Sequence, residues 1–139
     1  MIAVILIIAI LVALVFLVLN IQKMNEVHKK TKGVIKSRQD LLIVKEYINF
    51  SMKGAIFYII FTVLFFAYVV ILFIVAKPFQ ALCSLFLFGV VTLPMGLIGK
   101  YIEKKKIRKM DVQSEDPEIA EKWQNYLTQW DKPGFRLPD

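Results

Sequence analysis

The sequence predicts an all-α integral membrane protein: three transmembrane helices, N-out and C-in, with a basic cytoplasmic helical segment between spans 1 and 2 and a short amphipathic cytoplasmic C-terminal helix. Three observations predict it. The 139-residue chain is 58% hydrophobic and 21% charged, against roughly 45–50% apolar for a soluble domain. Ile2 to Leu19, Gly54 to Ala76 and Ala81 to Gly99 are free of charged side chains, and each is about as long as a hydrocarbon core of ~30 Å requires. Lysines crowd the segments on one side of these runs and are nearly missing from the other.

The first run starts "MIAVILIIAILVALVFLVLN". A secretory signal needs a positive charge ahead of its apolar stretch and a small-residue cleavage site behind it. Here no charge comes first, and the run exits through Asn20 and Gln22, so residues 1–21 read as an uncleaved reverse anchor.

The connector over residues 22–53 carries Val27, Val34, Leu41 and Ile48 at a seven-residue spacing, but Thr31, Arg38 and Lys45 stand where a second apolar row belongs. That half-heptad predicts two helical pieces flexing near Gly33. "LLIVKEYI" then lies along the membrane surface or against a partner.

Residues 54–102 form a transmembrane hairpin whose halves, 54–76 and 81–99, are joined by a tight outer loop over residues 77–80. Four residues cannot cross a bilayer, and backbone groups in lipid must be satisfied within the segment. Lys23, Lys29, Lys30, Lys32, Lys36, Arg38, Lys45 and Lys53 precede the hairpin and a basic run follows it, whereas its loop holds only Lys77. The positive-inside rule therefore places the connector and the tail in the cytoplasm.

Phe57, Phe61, Phe65 and Tyr68 share one face of the second span, a pattern that suits packing, and the hydroxyls of Tyr58 and Tyr68 call for interhelical partners. In the third span Gly89, Thr92, Gly96 and Gly99 recur on one face. Small residues let a second backbone approach closely, which predicts a helix-packing seam there. Pro94 removes a backbone donor and predicts a bend over residues 90–94.

The tail, residues 103–139, begins with Lys104, Lys105, Lys106, Arg108 and Lys109, placed to meet anionic lipid headgroups. Asp116, Pro117 and Glu118 then read as an N-cap, a first-turn proline and a favourable charge at a helix start. A helix over about 117–130 gathers Ile119, Trp123, Tyr126, Leu127 and Trp130 on one side. So short a helix is marginal alone in water, and the expectation is that this aromatic face docks on a partner. "DKPGFRLPD" has turn chemistry at Pro133 and Gly134, followed by an extended piece suited to a groove on another chain.

The composition excludes several functions. No Asp, Glu, Lys, Arg or His lies within the spans, which argues against a proton relay, an ion-coupled transporter or a voltage sensor. One histidine, His28, and one cysteine, Cys83, cannot assemble a haem pair, a zinc site or an intrachain disulfide. No phosphate loop, HExxH, CxxC or GxSxG occurs. The basic runs lack an interleaved aromatic platform, so nucleic acid is not the expected partner.

The reading is a non-catalytic accessory subunit, without cofactor, that binds larger membrane subunits through its third span and aromatic tail. Its default location is the cell inner membrane, with the mitochondrial inner membrane as the alternative.

In topology, over Ile2 to about Met110, the chain also resembles the three-span core of the YidC-like insertase superfamily, and that resemblance implies a role in membrane protein biogenesis. In that family the cytoplasmic piece is usually a longer coiled coil and a polar groove opens between the spans. The polar side chains on offer here are Thr62, Ser84 and Thr92. A homo-oligomeric small channel is the third reading, and it needs a polar helical face.

Overall fold

The computed structural model describes residues 2–75, 77–132 and 134–137, with side chains from Val4 onward. Ala76, the expected end of the second span, and Pro133 of the expected tail turn lie outside the described residues. The fold is all-α. Three helices, α1 (Ile2–Thr31), α2 (Arg38–Ile74) and α3 (Pro78–Glu103), are long and apolar enough to cross a membrane. The first two have 30 and 37 residues, or about 45 and 55 Å at ~1.5 Å per residue. Both therefore outrun a ~30 Å hydrocarbon core, and their excess projects at the lysine-rich end.

The connector is consequently not a separate element. It is the continuation of α1 and α2 beyond their apolar runs, broken only between Thr31 and Arg38. Lys32 and Gly33 there adopt positive φ angles of 54° and 77°, which stop the helix and reverse the chain. The Gly33 N–H donates to the Thr31 hydroxyl at 3.3 Å, and a Cβ at Gly33 would stand 2.8 Å from the ring of His28. Ser37 restarts the helix through a capping box: its hydroxyl accepts from the Asp40 N–H at 3.2 Å, and the Asp40 carboxylate accepts from the Ser37 N–H at 3.1 Å.

Between these helices, β1 (Val34–Ile35) pairs in parallel with β2 (Asp111–Val112). The Gln113 N–H extends the pairing to the Ile35 carbonyl at 2.9 Å. A 14-residue helix, α4 (Pro117–Trp130), completes the chain's regular structure.

Two cores result. In the apolar part, Ala9 of α1, Phe65, Val69 and Leu72 of α2, and Ala81 and Phe88 of α3 pack together, with Phe65 stacked on Phe88 at 4.2 Å between ring centroids. At the lysine-rich end a larger core gathers Met24, Val27, Ile35, Val44, Tyr47, Ile48, Ile107 and Trp123 around the helix ends. Leu41, Val44, Tyr47 and Ile48, from the segment expected on a membrane surface or a partner, are buried inside this globule. An amphipathic stripe needs only one cover, and the chain's own helices supply it.

At Gly54 of α2 the ring of Phe16 from α1 occupies the space a side chain would take. A Cβ built there would stand 1.7 Å from Cζ of Phe16, and the Phe16 ring also stacks on Phe50 at 6.3 Å. By contrast, nothing lies within 4 Å of a Cβ at Gly89 or Gly96. Alanine is worth up to ~1 kcal/mol over glycine inside a helix, so these positions should respond with opposite signs. Thermal unfolding in detergent micelles should show Gly54→Ala lowering the midpoint, whereas Gly89→Ala and Gly96→Ala leave it unchanged or raise it.

Candidate functional site

The amphipathic helix α4 is set by its start. The Asp116 carboxylate accepts from the Glu118 N–H at 3.0 Å, and the Arg38 guanidinium reaches Glu118 at 2.7 Å and Asp116 at 3.6 Å. This ties the beginning of α4 to the beginning of α2. At the other end Trp130 meets Tyr47 edge to face, with centroids 5.9 Å apart and planes at 82°. The two helices therefore run side by side, and α4 points its last turn toward the spans.

That arrangement turns the expected docking face inward. Ile119, Trp123, Tyr126 and Trp130 are all at most 8% exposed, and half-buried Leu127 packs against the same core. The face expected to seek a partner is covered by this chain, because the projecting ends of α1 and α2 present matching apolar stripes. The tail end is likewise satisfied internally. Leu137 is buried, and its N–H donates to Oδ1 of Asn49 at 2.6 Å.

The basic run divides. Lys104, Lys105 and Lys109 are exposed, while Lys106 turns back to hydrogen-bond Asn25 of α1. Arg108 departs furthest from a headgroup role. Residues 104–108 form a π-helical turn, whose wider winding stacks residue i over i+5. Arg108 is thereby brought over Glu103, with Nε donating at 3.1 Å. The same guanidinium grips Asp131 through two bonds of 3.1 and 2.8 Å and lies 4.5 Å from the Trp130 ring centroid. Arg108 thus clamps the end of α3 to the end of α4.

Sequence spacing hides this cluster: in an α-helix positions five apart diverge, and Asp131 is remote in the chain. An acid at the head of the basic run, Glu103, and another just after α4, Asp131, were its only signal. The Glu103 carboxyl stands partly buried a turn beyond the third apolar run, and Arg108 is its ion-pair partner there. The Arg108 hydrogen bonds hold Asp131 below the usual value.

In α3 the packing face is Ala81, Ser84, Phe88 and Thr92. Of the predicted seam, Thr92 is buried with its hydroxyl on the Phe88 carbonyl at 2.7 Å. Gly99 approaches Leu17 of α1, 3.3 Å from a built Cβ. Gly89 and Gly96 stand at the edge of this face and meet nothing. The helix continues through Pro94, which faces outward.

Thr62, like Thr92, satisfies itself on its own helix, donating to the Tyr58 carbonyl at 2.8 Å. Among the described residues the Tyr68 hydroxyl is buried without a partner. An open groove of about 370 Å³ between α1 and α2 is lined only by apolar side chains, among them Leu11, Val15, Phe16 and Phe57. Among the described residues no group of three or more His, Cys, Asp or Glu side chains could hold a metal ion.

The clamp carries a pH signature. A carboxylate whose folded pKa lies below its unfolded one stabilises the fold above the unfolded value, 3.8 for Asp131, and that contribution fades as pH falls through the folded value. Asp131 is two-thirds exposed, so water screens the pair, and Asp131→Asn should cost about 0.5–1 kcal/mol at neutral pH. Chemical denaturation followed by Trp fluorescence should show this difference at pH 7 and its disappearance well below pH ~3.8. No protein-family model, curated protein or solved structure matches the chain.

Proposed function

We propose that this chain is a non-catalytic accessory subunit of a larger membrane assembly, docking through the outer side of α3 rather than through its aromatic tail. The observation that carries this reading is the open backbone at Gly89 and Gly96, where nothing of this chain stands within 4 Å of a built Cβ. Close approach of a second helix is a main source of association in lipid. Leu93 and Leu97 on the same helix are 69% and 70% exposed and would flank such a contact. The lysine-rich globule is cytoplasmic in this reading, and Lys104, Lys105 and Lys109 meet anionic headgroups. The inner membrane of a cell is the proposed location.

Because the isolated chain leaves room at both glycines, an added side chain there reports on a partner and not on the fold. Purified in mild detergent, the wild-type chain should carry larger subunits in fixed proportion. Gly96→Ile should reduce their recovery about tenfold, or ~1.4 kcal/mol, while its own melting stays put. A wild-type chain that purifies as a clean monomer or homo-oligomer defeats the reading.

The insertase reading keeps one supporting observation: α1 and α2 continue unbroken into a helical hairpin at the lysine-rich end. Against it stand the apolar groove and the self-satisfied hydroxyls of Thr62 and Thr92. It expects photo-crosslinks from positions 62 and 92 to nascent hydrophobic chains, and their absence beside a labelled positive control rejects it.

A further inference from the structure

The aromatic rings of the globule are inside it: Tyr47, Trp123, Tyr126 and Trp130 are at most 8% exposed. Phe135 is not. It is 68% exposed, yet it sits between two pinned neighbours. Leu137 is buried with its N–H on Asn49, and Gly134 packs on Met52, with a built Cβ 3.2 Å from the Met52 methyl. The chain thus holds the ring outward at a defined place, beside residues 49–52 of α2.

That place is the membrane boundary. Gly54 begins the second charge-free run, so Asn49 and Met52 lie only about 8 and 3 Å short of it along the helix axis at ~1.5 Å per residue. Exposed cations occupy the same level: Arg136 adjoins the ring in sequence, and Lys53 follows Met52. Tyr101, 67% exposed, stands two residues past the third charge-free run. Aromatic rings with cationic neighbours at this depth are the composition of a bilayer interface, and an apolar ring placed there is buried ~5–10 Å into the headgroup and acyl boundary.

We propose that Phe135 and Arg136 form an interfacial anchor, the ring entering the upper acyl chains and the guanidinium meeting the phosphates of anionic lipid. The anchor draws the end of α4 onto the membrane and so orients the whole globule against it. It needs only the membrane placement, not a partner subunit, and a chain that purifies alone would still show it.

The test uses the full chain with Phe135→Trp, reconstituted in phosphatidylcholine vesicles with and without phosphatidylglycerol. The buried Trp123 and Trp130 of the parent chain set the baseline. Lipids with a nitroxide near the headgroup should quench the new fluorescence at least twofold more than the baseline, and more than lipids with a nitroxide near the chain end. Adding Arg136→Gln should weaken this quenching in the anionic vesicles and leave it unchanged in the neutral ones.

If the indole introduced by Phe135→Trp is quenched by neither lipid, the proposal is overturned, whether water, shown by iodide quenching, or a protein, shown by its absence, then covers the ring. Because position 135 is exposed, the exchange should leave the thermal midpoint in detergent unchanged. If it does not, Phe135→Ala serves as the second variant, and faster amide exchange over residues 134–137 in vesicles but not in detergent is the expected result. Equal exchange in both would reject the anchor.

Discussion

The burial of Trp123 in the core that the projecting ends of α1 and α2 help to build is the interaction on which the arrangement at the lysine-rich end depends. Two helices that leave a bilayer side by side each bring an apolar stripe into water, and neither can bury it on the other alone. α4 closes that gap. Its four deeply buried aromatic and aliphatic anchors occupy the space above the helix pair, and Arg38 and Arg108 fasten its two ends through exposed and half-buried ion pairs. Burying a Trp side chain is worth several times an exposed ion pair, so the pairs set the direction of α4 while the apolar contacts hold it.

Much of this was legible in the residues because it rests on local chemistry. Runs free of charge mark three helices able to cross a membrane, since a single ionised side chain within lipid is costly. Gly33 marks the break because Lys32 and Gly33 together adopt a backbone that α-helices do not continue, and Asp116-Pro117-Glu118 marks the start of α4 because each residue suits its own position at a helix N-terminus. The aromatic face of α4 was legible as a surface needing cover, but not whose surface would cover it. That answer lies in the length of α1 and α2, which no local pattern records once a polar sequence follows an apolar one.

The face of α3 that packs within this chain overlaps the glycine seam only in part, for a different reason. Small residues permit close approach without requiring it, and here Ala81, Ser84, Phe88 and Thr92 turn inward while two of the glycines are left at the rim. The glycine that the fold does require, Gly54, opens the second charge-free run, with only Ser51 and Ala55 as small neighbours. Its need arises from Phe16, far away in sequence. The Glu103–Arg108–Asp131 cluster escaped notice through a change in helical winding, which alters which residues are neighbours without altering composition. Each of these contacts is long-range or depends on phase, and periodicity carries neither kind of information.

The parallel pairing of Val34–Ile35 with Asp111–Val112 has a consequence for biosynthesis. Its two strands are separated in the chain by both halves of the transmembrane hairpin, so the globule cannot close until α2 and α3 have been threaded. Until then Leu41, Val44, Tyr47 and Ile48 remain wetted, a sticky seam that chaperones and proteases can read. A molecule whose hairpin fails to insert would keep that seam open, and the fold thereby couples concealment from quality control to successful translocation.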